Sequence, residues 1–192
     1  MIYFTSDLHF GHKNIIRFDN RPFTSVEEMD KVLIERWNNK VTDEDTVYIL
    51  GDISWYDDQK TYEIFSQLRG RKILIQGNHD KVNGKTKECF EEICFYKEIN
   101  LPGGSVHIIL CHYPIMFFNN HNYGTFMLYG HVHNSTDWDM VEKFKSELHQ
   151  LGQRCYMFNV GCMVRNYEPV TLDEILQQEE RKDQNASKRK GL

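Results

Sequence analysis

Long apolar runs are missing. No stretch of the 192 residues approaches the roughly 20 consecutive apolar residues of a membrane helix, which argues against a spanning segment. The start, Met1-Ile2-Tyr3-Phe4-Thr5, lacks the basic residues and extended apolar stretch of a secretory signal. No Cys-x-x-Cys pair occurs among the five cysteines, Cys89, Cys94, Cys111, Cys155 and Cys162. Their odd number points to free thiols in a reducing compartment, so a cytoplasmic location is expected. Two glycosylation patterns, Asn134-Ser135-Thr136 and Asn185-Ala186-Ser187, then read as coincidence. Basic excess is missing too: 28 acidic against 23 basic residues leave a net charge of −5, which weighs against stable nucleic-acid binding. Internal repeats and low-complexity linkers are absent. What remains is ordinary for a globular chain, 40% apolar and 27% charged. It reads as a single domain over residues 1–180. A polar tail over 181–192 ends in Lys188-Arg189-Lys190-Gly191-Leu192, expected to be frayed.

Apolar runs at 2–5, 46–50 and 72–76 predict buried strands. Between them, Ser25 and Glu28 form the signature of a capping box, and Val26, Met29, Leu33 and Trp37 share one helical face over 25–39. A second helix is expected at 61–69, stopped by Gly70. This strand–helix alternation favours parallel pairing. The second half differs. Pro102-Gly103-Gly104 separates runs at 96–101 and 106–111, predicting a hairpin. Further strands are expected at 126–129 and 155–160, with helices over 140–151 and after Thr171. The whole predicts an α/β fold with mixed sheets covered by helices.

Polar clusters follow the strands. They are Asp7-Leu8-His9, Gly51-Asp52, Gly77-Asn78-His79-Asp80, His112 and Gly130-His131-Val132-His133. Ligand sites in open α/β sheets lie at the carboxyl ends of strands, so residues distant in sequence can meet there. A single histidine near a strand end is more often structural than a ligand, and Gly-Asp is a common turn. Five such clusters in succession are hard to produce by chance. Imidazole suits Zn, Fe, Mn and Ni, while carboxylate and amide oxygens suit Mn and other hard ions. Four histidines weigh against a site for Mg or Ca alone. Strand alternation turns Cys111 away from the cluster.

These blocks resemble the calcineurin-like metallophosphoesterase superfamily, over residues 7 to 133. The segment Met1 to Phe23 and the stretch Asn159-Val160-Gly161 are similar to its small bacterial or phage members. The resemblance implies two packed mixed β-sheets flanked by helices, a four-layer α/β/β/α sandwich. It implies two divalent metals, with Mn2+ expected first and Fe, Zn or Ni fitting the same donors. One metal is then held by Asp7, His9, Asp52 and His133, the other by Asp52, Asn78, His112 and His131, with Asp52 as the bridge. Gly51, Gly77 and Gly130 leave room for backbone to pass close by. Hydrolysis of a phosphomonoester or phosphodiester by water activated between the metals follows. His79 acts as general acid or stabilises the developing charge, and Asp80 either orients His79 or is a turn residue.

Around this set, His12 either lines the pocket or caps a helix starting near Lys13. Arg17 and Arg21 are candidates for a second anionic group, against solvated or acid-paired roles. Trp55 is a candidate pocket wall and Asn159 a support beneath the site, while Trp37 and Trp138 read as packing. The expected partner is a small phosphoester. A scaffold that keeps the fold without catalysis, or a nuclease acting on short ends, are the competing readings. Neither oligomeric state nor substrate is encoded legibly.

Overall fold

The computed structural model describes residues 1–190, excepting the side chains of 183 and 185–190. Strands β1 (Ile2–Thr5), β2 (Thr46–Ile49), β3 (Arg71–Ile75) and β4 (Glu92–Cys94) form the first sheet, in that order. All three pairings are parallel, and one antiparallel bridge joins Phe4 to Val170 at the β1 edge. The second sheet is mixed. Strands β5 (Tyr96–Asn100) and β6 (His107–Cys111) make the expected antiparallel hairpin. Strands β7 (Phe126–Tyr129) and β8 (Tyr156–Asn159) then add in parallel.

Alternation along each strand divides its side chains between two faces. Phe4, Leu50, Ile75, Ile108, Leu110 and Leu128 fill the space between the sheets, all fully buried. Each such side chain withdrawn from water contributes about 1.5–3 kcal/mol. The other face of the first sheet, with Val47, Ile49 and Leu74, packs on α2 (Val26–Lys40) and α3 (Asp58–Phe65). Ile109, Met127 and Met157 on the outer face of the second sheet meet Val141 of a helix over Thr136–Gln150. The result is a four-layer α/β/β/α arrangement. Cys111 lies on that outer face, away from the strand-end loops.

Helix boundaries depart from the sequence pattern where caps override it. In α2, Ser25 Oγ accepts from Glu28 N at 3.1 Å, but the Glu28 carboxylate turns to Thr24 N at 2.7 Å, so the box closes one residue early. Helix α3 starts at Asp58 rather than Thr61, because Asp57 accepts from Lys60 N at 2.8 Å. It ends at Phe65, as Gln67 N and Leu68 N bond three residues back and tighten the chain into a turn. The helix expected at 140–151 begins at Thr136, where the Ser135 side chain accepts from Asp137 N at 3.1 Å. Strand β4 has only three residues, too few for alternation to announce it. A short helix, α1 (Lys13–Phe18), follows β1. The 136–150 helix is α4, and the last, α5, spans Leu172–Lys190 behind a capping box between Thr171 and Glu174. Its backbone stays helical over the segment read as a polar tail, which contains no Pro or Gly before Gly191. Residues 191 and 192 of that tail lie outside the described residues.

Parallel register brings the carboxyl ends of β1, β2 and β3 to one edge, with Thr5 level with Ile49 and Ile49 with Leu74. In the second sheet, Leu110, Leu128 and Phe158 are level in the same way. A parallel bridge between Ser6 and Gly161 ties the two edges together. The loops that leave both sheets therefore converge.

Candidate metal centre

Asp7, His9, Asp52, His131 and His133 all sit in left-handed backbone, with φ of 55°, 52°, 56°, 69° and 50°. Residues with a Cβ adopt this region rarely, at a cost of about 1–3 kcal/mol each, and such strain clusters at functional sites. The loops hold them there through backbone bonds. Asp7 N donates to Gly51 O and His9 N to Asp52 O, both at 3.0 Å.

The donors form two adjoining groups. In the first, His133 Nε2 lies 3.5 Å from Asp7 Oδ1 and 3.3 Å from His9 Nε2. In the second, His112 Nε2 lies 3.6 Å from Asp52 Oδ1 and 3.0 Å from Asn78 Oδ1. Asp52 Oδ2 faces back toward His9 Nε2 at 3.7 Å, so its carboxylate reaches both groups. Asp7 also falls within reach of both, with His9 and His133 on one side and Asp52 and His112 on the other. His131 donates its backbone N–H to Asp7 at 3.1 Å and packs its ring edge-on to His112, centroids 5.0 Å apart. Close approach explains two glycines. A Cβ at Gly77 would strike Asp52 Oδ1, and one at Gly130 would strike Ser6 Oγ.

The donor chemistry fits a cation. His112 Nδ1 is 2.7 Å from Leu50 O, a carbonyl that can only accept, so the ring proton sits there. The Nε2 lone pair, Asn78 Oδ1 and Asp52 Oδ1 then converge, and three acceptors facing one point are favourable only around positive charge. His133 is oriented likewise: Nδ1 donates to Asp19 Oδ1 at 2.8 Å, turning Nε2 inward. His9 differs. Trp55 Nε1–H donates to His9 Nδ1 at 3.2 Å, which places the His9 proton on Nε2, aimed at His133. For His9 to coordinate through Nε2, that proton must shift to Nδ1, and the bond from Trp55 must break.

Burial raises the Asp7 carboxyl above its ordinary range, against the pull of His133 and His112. Burial also pushes His9 well below the usual histidine value, helped by the charges of His133 and Arg21. His131 is lowered for the same reason, burial first and then His112. At neutral pH both rings are therefore neutral, as ligation requires. Burial would lower His133 as well, but its hydrogen bond to Asp19 and the charge of Asp7 outweigh that and raise it.

Other candidates are placed differently. His79 is exposed at the rim, its backbone N–H bonded to Asp52 Oδ1 at 3.0 Å and its ring centroid 6.1 Å from that of His9. Asp80 does not orient it. Its carboxylate accepts from Gly77 N at 2.7 Å, Ile53 N at 2.8 Å and Asp52 N at 3.0 Å, so its oxygens are committed to backbone. Arg21 is 4% exposed and donates to Asp7 O at 2.8 Å, Leu8 O at 3.0 Å and Asp19 at 3.0 Å. A side chain so engaged cannot meet an anionic substrate, so the binding role expected for it is withdrawn. Arg17 lies over the Phe18 ring and lines a separate hollow with Lys13 and Glu27, off the strand-end cluster. His12 caps α1, its Nδ1 accepting from Ile15 N at 3.0 Å, and its ring also abuts Trp55. Asn159 lies beneath the site, donating to His133 O at 3.1 Å and accepting from Gly161 N at 2.8 Å. Asp19 was missed: nothing in its spacing separates it from a surface acid.

A layered α/β sandwich with Asp, Asn and His at the strand ends of both sheets defines a metallophosphoesterase. The chain belongs to the calcineurin-like phosphoesterase family, whose model matches residues 1–181. The uncharacterized protein MJ1445 of Methanocaldococcus jannaschii is 37% identical over 178 residues, covering 91% of this chain and 89% of its own. The gene 66 protein of Mycobacterium phage L5 is 32% identical over 162 residues, covering 69% and 77%. Among solved structures, AQ665 of Aquifex aeolicus, a protein of unknown function, superposes with a TM-score of 0.71 at 30% identity, covering 93% of this chain and 98% of its own. Family membership implies metal-dependent phosphoester hydrolysis.

Proposed function

We propose that the chain hydrolyses a phosphomonoester or phosphodiester with two divalent metal ions bridged by Asp52. The divided carboxylate of Asp52 carries this reading, one oxygen 3.7 Å from His9 Nε2 and the other 3.6 Å from His112 Nε2. Asp7, His9, Asp52 and His133 would hold one ion; Asp52, Asn78, His112 and His131 the other. The mixed nitrogen and oxygen donors suit Mn2+, with Fe, Zn or Ni as further occupants. When bound, such a pair supplies Lewis acidity and a water acidic enough to attack near neutral pH.

The chain's own groups do the rest. Leu50 O and Asp19 fix the rings of His112 and His133 so that their Nε2 atoms face inward. His79, at the rim, donates a proton to the leaving oxygen or stabilises its charge. The His79 backbone N–H, donating to Asp52 Oδ1, keeps that imidazole beside the centre. The net charge of −5 favours a small substrate over a nucleic-acid duplex. The cysteines are unpaired among the described residues, which supports a reducing, cytoplasmic setting.

The deciding measurement is turnover of p-nitrophenyl phosphate and bis(p-nitrophenyl) phosphate by Mn2+-loaded protein, abolished by a chelator. Fully metallated protein that turns over nothing on a broad phosphoester panel would favour a scaffold instead. Asp52→Asn is expected to lower occupancy of both metals by elemental analysis; two full sites in that variant would sink the bridge. His79→Ala should retain both metals and lose about 10²–10⁴-fold in rate. Loss of metal would instead make His79 a ligand.

A further inference from the structure

A cavity of about 370 Å³ opens beside His79, lined by Ile53, Trp55, Tyr56, Thr61 and Thr86 among others. That volume lies within the range of small-molecule sites, about 300–1,000 Å³. Two of its walls are aromatic and held in place. Tyr56 donates its hydroxyl to Asp30 at 2.9 Å and packs so close to Gly11 that a Cβ there would meet its ring at 2.7 Å. Trp55 has its backbone N–H bonded to Phe10 O at 2.8 Å. The His12 ring abuts the indole edge-on, centroids 4.1 Å apart and planes at 80°. Trp55 is nevertheless 52% exposed, its ring tilted 41° to the His79 ring at 5.1 Å. A large aromatic ring held against neighbouring side chains yet half-exposed beside a cavity can serve as a stacking platform.

The position of this platform gives it a use. Asn78 and His79 both line the cavity, so it joins the metal-ligand cluster on the side where His79 meets the leaving oxygen. Resting on the hydrolase reading above, we propose that this cavity receives the leaving group and selects a planar aromatic ring there. The substrate class is a nucleoside phosphoester, and Trp55 is the specificity-determining residue. The apolar walls accept the faces of a base, while Asp57, which also lines the cavity, offers a carboxylate oxygen to its edge. An aliphatic alcohol fills neither.

Two measurements test this, and the first is independent of turnover. Calorimetric titration of the metal-free protein with adenosine should give one saturable site, and ribose should give none. Trp55→Ala should weaken adenosine by about ten-fold or more, the loss expected for one base–aromatic stack, and Trp55→Tyr should restore most of it. Thermal melts confirm that both variants fold. The second compares kcat/KM for adenosine 5′-monophosphate with that for ribose 5-phosphate, which differ only in the base. The wild-type ratio should exceed one, and Trp55→Ala should lower it by about ten-fold. Using the ratio removes any change that the variant transmits to His9. Adenosine binding without turnover on any ester would overturn the hydrolase reading and leave the ring site standing. Equal adenosine affinity in wild type and Trp55→Ala, or no adenosine binding by wild type, would overturn the ring site itself.

Discussion

His133 presents Nε2 to the centre because Asp19 occupies Nδ1, at 2.8 Å. Asp19 is itself fixed by Arg21 at 3.0 Å, and Arg21 by the carbonyls of Asp7 and Leu8. This chain turns an arginine that reads as an anion binder into part of the frame. Asp19→Asn should therefore cut metal affinity by about 10–100-fold, measured by competition with a chromogenic chelator. It also carries a pH signature in metal-free protein. The His133 value is raised in the folded state, so its charged form contributes stability that is fully present below the ordinary histidine value and is lost as pH rises through the folded one. The gap in melting temperature between wild type and Asp19→Asn should be wider at pH 6 than at pH 9. A gap that widens toward alkaline pH would place the interaction elsewhere. Asp7, His9 and Asp52 were legible as candidates because their type and place after a strand announce them. Asp19 was not, since its function exists only through a ring 114 residues away.

At the level of elements, the site is held by what binds one strand-end loop to the next. Asp80 supplies acceptors for Asp52 N and Ile53 N after β2 and for Gly77 N after β3. Burial raises its carboxyl, and the backbone N–H groups of Ile53 and Gly77 work against that rise. Asp80→Ala leaves these buried donors unpaired and should cost about 3 kcal/mol, read as a lower denaturation midpoint with unchanged slope. If Asp80 acted instead on His79, stability would hold and the pH profile of turnover would move. Strands were legible from short apolar runs ending at Gly or Asp. Helix starts were misplaced at α3 and α4 because Asp57 and Ser135 cap them ahead of their apolar faces. A cap is a local hydrogen bond, and periodicity does not report it.

For the whole molecule, metals are expected to act as staples between the two sheets. The donors come from β1, β2 and β3 loops of one sheet and β6 and β7 loops of the other, so occupied sites stabilise only the assembled sandwich. At a hundred-fold excess over Kd, each site contributes about 2.7 kcal/mol. For a chain of this size the melting temperature should rise on the order of 10 °C with saturating Mn2+ and return on chelation. A melt insensitive to metal would mean that the donors do not bind across the sheets. The sequence by itself determined the strand runs, the amphipathic face of α2 and the identity of the metal-capable residues, because burial patterns and donor chemistry are properties of single residues and their near neighbours. Only the tertiary structure decided which of those residues meet. Parallel register brought the strand ends level, the Ser6–Gly161 bridge joined the sheets, and left-handed backbone aimed the side chains inward. It also withdrew Arg21 from the substrate, committed Asp80 to backbone rather than to His79, and set Trp55 in the wall of a cavity. Those outcomes depend on contacts between segments far apart in the chain, where local pattern carries no information.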